Sequence, residues 1–137
     1  MKRIRFLIDG IMSEYFFSKS EKPTKIALFL YGFPATVGKN VLTEFLVNKG
    51  FGVVQPQYFG TYDSEGFMTP DTVLETIYKL KKSLDGKIVS LSDNKEITIP
   101  EKIELLIGYS FGGFAAIHTN LLFPNLINIL MISPTIT

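Results

Sequence analysis

The sequence has 137 residues, 46% of them hydrophobic and 13% aromatic, which fits one folded domain with a sizeable core. Its formal net charge is +1, and its basic residues cluster no further than pairs such as Lys81-Lys82, so neither nucleic acid nor a membrane surface is expected as a partner. It contains no cysteine, which excludes disulfides and thiol chemistry and is compatible with a reducing, cytoplasmic setting.

No apolar run approaches the roughly 18 residues of a membrane span, and Met1-Lys2-Arg3-Ile4-Arg5 leads into no signal-peptide core. Residues 2–8 and 11–18 read as two strands around Asp9-Gly10, a strong hairpin turn signal. Tyr15, Phe16 and Phe17 in the second of them are expected to pack on the sheet faces. After a polar break at 19–23, residues 25–31 form a near-continuous apolar run, as a strand buried on both faces should. Gly32 and Pro34 end it. Residues 40–49 show helical spacing through Val41, Phe45, Leu46 and Val47, with Gly50 as the stop. A short strand at 51–54 leads into a long polar loop, 55–69. Pro70 and Asp71 open a second helix through Val73, Leu74, Ile77 and Leu80, ending near Gly86. Residues 87–91 and 95–99 suggest a small hairpin around Asp93-Asn94. A strand at 103–107, a helix to about residue 122 and a last strand at 126–132 complete the pattern. Strands alternating with helices predict an α/β fold, a mostly parallel sheet flanked by helices on both faces.

The stretch Gly108-Tyr109-Ser110-Phe111-Gly112-Gly113 carries the most chemistry. It reads G-x-S-x-G-G between a predicted strand and a predicted helix, the setting of a nucleophile elbow. A strained turn brings neighbouring backbone close to the serine, and glycines at 108 and 112 relieve the crowding. The string alone is a weak signal, and a glycine-rich turn with an unreactive serine would look similar; its placement strengthens it. It is not a dinucleotide fingerprint, because Ser110 falls where glycine would be needed.

Three stretches in order resemble the N-terminal part of an α/β-hydrolase. Leu28-Phe29-Leu30-Tyr31-Gly32-Phe33-Pro34 resembles the family's H-G-x-P oxyanion turn, with Tyr31 where histidine is common. Tyr58-Phe59-Gly60-Thr61-Tyr62-Asp63-Ser64-Glu65-Gly66 resembles the loop after the fourth strand, D-x-R-G-x-G-x-S-x-G, with Phe59 in place of arginine and Tyr62 in place of the second glycine. The elbow at Ser110 is the third. The resemblance covers nearly the whole chain and implies a hydrolase-like sheet with an N-terminal antiparallel hairpin.

It also implies roles. Ser110 would attack a carbonyl carbon, and the backbone N–H groups of Phe111 and Phe33 would hold the oxyanion. Gly32, Pro34, Gly108, Gly112 and Gly113 support the two turns. Phe33 also reads as a core aromatic at a strand end. The substrate would be a small ester or a peptide-like acyl compound. No cofactor and no metal are expected, since serine-based acyl transfer needs neither.

The remaining machinery is not legible. In this family the acid and then the histidine follow the serine. After Ser110 the sequence has no Asp and no Glu, and its single histidine is His118. Eight residues along a helix place His118 about 12 Å from the elbow, too far for an imidazole to reach Ser110, so a structural role is expected. Asp63 and Glu65 read either as candidate acids near the ligand-binding edge of the sheet or as solvated, turn-capping carboxylates. Residues 126–134 resemble the family's sixth strand and its turn, so a truncation after that strand is expected. Its apolar edge would invite self-association or a partner chain. Three readings stay open: the nucleophile-bearing part of a serine hydrolase, a non-catalytic binding module on the same fold, and half of a split enzyme completed in trans.

Overall fold

A computed structural model describes residues 1–31, 40–58, 60–61, 63–109, 116 and 128–132. The first hairpin joins β1 (Lys2–Ile8) to β2 (Ile11–Phe17) in antiparallel register, with Ile8 opposite Ile11. Its two turn residues, Asp9 and Gly10, both have positive φ, 52° and 79°. That is the backbone of the two-residue turn that matches strand twist, and Asp-Gly tolerates it where bulkier residues would not.

β3 (Lys25–Leu30) is buried from Ile26 to Leu30, on both faces. α1 (Val41–Asn48) follows, its N-terminus capped by Asn40, whose Oδ1 accepts the Thr43 N–H at 2.8 Å. Gly50, at φ +92°, ends that turn of chain by donating to the Val47 carbonyl. β4 (Phe51–Pro56) runs two residues beyond the expected end. Gln55 looks like a loop residue in sequence. Here it lies opposite Glu14 of β2, buried, and its Nε2 donates to Thr43 Oγ1 of α1 at 3.0 Å. A satisfied buried amide can occupy a central strand.

α2 (Pro70–Ser83) begins with a reciprocal cap between Thr69 and Thr72 and carries Lys81 and Lys82 in its last turn, where cations suit the helix dipole. Both helices pack against β4. β5 (Lys87–Val89) and β6 (Glu96–Thr98) make the small hairpin, each shorter than expected, with Asn94 at φ +57° in its turn. β7 (Ile103–Tyr109) extends two residues past its apolar run because Gly108 and Tyr109 still pair with β8 (Asn128–Ile132). Of the expected helix after the elbow, only Ala116 lies within the described residues; it is helical and buried.

The main sheet is six-stranded in the order β1-β2-β4-β3-β7-β8. β1 and β2 are antiparallel to their neighbours, while β4, β3, β7 and β8 run parallel. The core is continuous across it: Phe6, Tyr15, Phe16, Leu28, Val53, Val54, Ile77 and Leu106 are all buried. The aromatic run of β2 packs as expected, with Tyr15 and Phe17 rings stacked at 5.2 Å. Tyr15 lies over Gly52, where any Cβ would come within 2.3 Å of the phenol oxygen. Burial pushes the Tyr15 hydroxyl up to about 12.

Candidate active site

In a parallel sheet, strands that share a direction deliver their C-terminal loops to one edge, and ligands of open α/β sheets bind there. β3 and β7 are neighbours, with Leu30 opposite Gly108. On the far side of β7, Gly108 pairs with Met131 and Tyr109 with Ile132. The chain therefore leaves β3 at Tyr31 and β7 at Tyr109 from adjacent strands, about 4.8 Å apart, at the same edge. Tyr109 is about half exposed there. The sequence-predicted site residues that come next, Gly32, Phe33 and Pro34 after β3 and Ser110, Phe111, Gly112 and Gly113 after β7, lie outside the described residues, as does His118. Gly108 is within the ladder between β3 and β8.

The described side chains that flank this edge form a polar cluster. Tyr31 and Tyr58, at the ends of β3 and β4, are buried, with ring centroids 4.8 Å apart and tilted by 31°. Each phenol reaches the other residue's backbone. Tyr58 Oη donates to the Tyr31 carbonyl at 2.9 Å, and Tyr31 Oη accepts the Tyr58 N–H at 3.3 Å. Thr61 closes the ring: its Oγ1 donates to the Tyr58 carbonyl at 2.5 Å and lies 3.3 Å from Tyr31 Oη. Because the Thr61 hydrogen is committed to a carbonyl, the network assigns the Tyr31 hydrogen to Thr61 Oγ1. Burial, reinforced by Tyr31, holds the Tyr58 hydroxyl well above the usual phenol range, so it stays a donor. Tyr31 and Tyr58 were legible as motif positions, but their mutual bonding was not. Tyr58 falls within the stretch that reads as a polar loop, 55–69, so the sequence placed no partner beside Tyr31.

The loop after β4 turns away from β7. Gln57 N–H donates to the Met12 carbonyl at 2.9 Å, and Ser64 Oγ accepts the Met12 N–H at 2.9 Å while donating to the Gln57 carbonyl at 2.7 Å. Glu65 N–H donates to the Gly10 carbonyl at 3.0 Å, and its carboxylate lies against Gly10. Asp63 N–H donates to Gln57 Oε1 at 2.8 Å, and its carboxylate pairs with the Arg5 guanidinium. Arg5 stands on β1, four strands from β7 in the sheet order, about 19 Å at about 4.8 Å per strand. Of the two sequence readings for Asp63 and Glu65, the structure gives the structural one: both carboxylates serve the first hairpin. Gly60, at φ +78°, makes the loop possible, because a Cβ there would stand 2.1 Å from the Met68 nitrogen.

Among the described residues, no three His, Asp or Glu side chains are grouped to hold a metal ion, and no helix is long and apolar enough to cross a membrane.

No protein-family profile matches the sequence, and no curated protein does. Solved structures do. Est1E from Butyrivibrio proteoclasticus superposes with a TM-score of 0.71 at 14% identity, over 98% of this chain and 51% of that one. A predicted CIB-like hydrolase from Thermoplasma acidophilum gives 0.67 at 18% identity, over 97% of this chain and 62% of that one. The thioesterase domain from the curacin biosynthetic pathway gives 0.63 at 19% identity, over 98% and 46%. The chain thus spans about half the length of the structures it matches. With its sheet order, its antiparallel first hairpin and its parallel remainder, the chain has the α/β-hydrolase fold.

Proposed function

We propose that this chain carries the nucleophile-bearing part of a serine hydrolase that cleaves ester or peptide-like acyl bonds. Ser110 is the nucleophile, and the N–H groups of Phe111 and Phe33 form the oxyanion hole. The observation that carries this reading is the pairing of Leu30 with Gly108, which brings the exits of β3 and β7 side by side at one sheet edge. An oxyanion turn and a nucleophile elbow need that adjacency, because both must reach the same carbonyl group. The thioesterase domain among the matched structures supports acyl chemistry in general.

The acid and base belong, in this reading, to polypeptide outside these 137 residues, in the same chain or a partner. After Ser110 the sequence offers only His118, and Asp63 is engaged with Arg5 on the far side of the sheet. The same engagement favours a second reading, a binding module that has kept the fold without catalysis.

A fluorophosphonate probe separates the two. An oxyanion hole and binding alone leave about 10³–10⁴-fold catalysis over water when a triad member is missing. Peptide mapping after labelling should therefore find the probe on Ser110 well before the exposed Ser92, and Ser110→Ala should remove that label. Labelling of Ser110 no faster than Ser92 would hand the case to the binding module.

A further inference from the structure

We propose that the first hairpin holds an ordered water molecule between Glu14 and Arg5, which accepts from Arg5 Nε–H and donates to Glu14 Oε2. The site lies at the β1–β2 end of the sheet, away from β7, and is independent of the chemistry proposed for Ser110.

Arg5 of β1 is paired directly opposite Glu14 of β2, and Arg3 stands two residues along the same strand. All three side chains therefore project from one face of the hairpin. The Glu14 side chain is only 7% exposed, yet its carboxylate is not in hydrogen-bond contact with either guanidinium. Arg3 Nη1 stands 3.7 Å from Glu14 Oε2, and Arg5 Nε stands 4.0 Å from Glu14 Oε1. A charge-assisted N–H···O bond closes to about 2.7–2.9 Å. Glu14 Oε2 and Arg5 Nε are both shielded from bulk solvent, and neither has a hydrogen-bond partner among the described residues. Their neighbours are engaged elsewhere: Arg5 Nη2 donates to Asp63, and Gln55, across from Glu14, donates to Thr43.

A buried donor and a buried acceptor are each costly when unsatisfied, and native structures satisfy such groups with protein or with ordered water. The guanidinium is planar and rigid, so its hold on Asp63 through Nη2 fixes where Nε sits and keeps it from closing on Glu14. Across a gap of 4.0 Å, two hydrogen bonds of about 2.8 Å meet at one water oxygen at an angle of about 90°. Arg3 Nη1 supplies a third polar group beside Oε2, in keeping with the two to four partners of a buried water. Ser13 Oγ is also buried without a partner among the described residues, but alternation along β2 puts it on the opposite face from Glu14, outside this site.

The sequence contains two arginines, Arg3 and Arg5. Labelling with ¹⁵N arginine therefore gives two Nε–Hε signals, and Arg3→Lys leaves the one that belongs to Arg5. Contact with water is read at that Hε by paired laboratory-frame and rotating-frame NOE measurements. The expected result is a cross-peak at the water frequency with opposite signs in the two, the mark of a water that stays far longer than surface hydration. Glu14→Gln keeps a side-chain oxygen as acceptor and should retain the cross-peak. Glu14→Met removes the acceptor and should abolish it. If Glu14→Met does not fold, a crystal structure of the unsubstituted protein carries the test: an oxygen within about 2.6–3.2 Å of both Glu14 Oε2 and Arg5 Nε is expected.

A direct hydrogen bond between Arg5 Nε and Glu14 in that crystal structure overturns the proposal. So does an absent cross-peak, or one of equal sign in both experiments, which reports brief hydration or proton exchange. A cross-peak that persists in folded Glu14→Met removes Glu14 as the partner and overturns it as well.

Discussion

At the scale of single residues, backbone geometry explains more of this site than side-chain chemistry does. Gly60 is the plainest case. Its φ of +78° disfavours any side chain, and a Cβ would stand 2.1 Å from the Met68 nitrogen and 2.4 Å from the Phe67 carbonyl carbon. Both obstacles are backbone, so neither can swing aside. Gly60 N–H also donates to the Glu65 carbonyl at 2.8 Å, which closes the loop that carries Asp63 and Ser64. Gly60→Ala should therefore lower stability by about 1–3 kcal/mol from the backbone conformation alone, with the clash adding to it. A urea titration reads this as a lower midpoint at unchanged slope. The sequence marked Gly60 as a motif glycine. What it could not show is that the crowding comes from residues 67 and 68, because that contact exists only once the loop has folded back on itself.

Among the elements, α2 is the one whose ends are best defined. Thr69 Oγ1 accepts the Thr72 N–H at 3.1 Å, and Thr72 Oγ1 accepts the Thr69 N–H at 2.7 Å. Thr72 Oγ1 also donates to the Phe67 carbonyl at 2.6 Å, so the cap ties the helix to the loop before it. Thr69→Ala should cost about 1 kcal/mol, the usual loss for a threonine N-cap, measured as a drop in the thermal midpoint. Thr72→Ala should cost at least as much, because it removes the other half of the box, the acceptor of the Thr69 N–H, and the anchor to Phe67 as well. Pro70 and the apolar spacing through Val73, Ile77 and Leu80 announced this helix, and those three side chains are buried. The cap itself was less legible, since a threonine stands where glutamate or glutamine commonly completes the box. β4 was misjudged at its end for a related reason. Gln55 reads as polar and therefore as loop, yet its partner Thr43 is twelve residues away in a helix, and sequence windows do not see such a partner.

For the molecule as a whole, charge placement separates structural carboxylates from candidate catalytic ones. Glu14 is buried on β2, with Arg3 at 3.7 Å and Arg5 at 4.0 Å, while Arg5 also holds the exposed Asp63. Removing Arg5 leaves the buried Glu14 carboxylate with Arg3 as its remaining cation, whereas removing the Asp63 charge breaks a pair that solvent already screens. Arg5→Met, which loses both the Glu14 and the Asp63 pairs, should therefore cost more than Asp63→Asn, which should cost about 1 kcal/mol or less. Asp63→Asn should also leave the Ser110 labelling rate unchanged, since its carboxylate serves β1 at the other side of the sheet. A marked fall in that rate would return Asp63 to the catalytic candidates.

The sequence by itself determined the class of this fold and most of its elements. Apolar runs, Asp-Gly and helix-end glycines act over a few residues, and local sterics and solvation read them the same way in any context. It also determined where the two decisive turns stand, after the runs ending near Tyr31 and Tyr109. Only the tertiary structure decided what those turns have beside them. Pairing Leu30 with Gly108 joins residues 78 positions apart, and the Tyr31–Tyr58–Thr61 ring links two strand ends and a loop. Those contacts form only when the sheet has closed around them, because a buried hydroxyl is tolerated only with its partner already in place. The same closure sent Asp63 and Glu65 to the first hairpin, a choice between two edges of one sheet that no local pattern in the loop encodes.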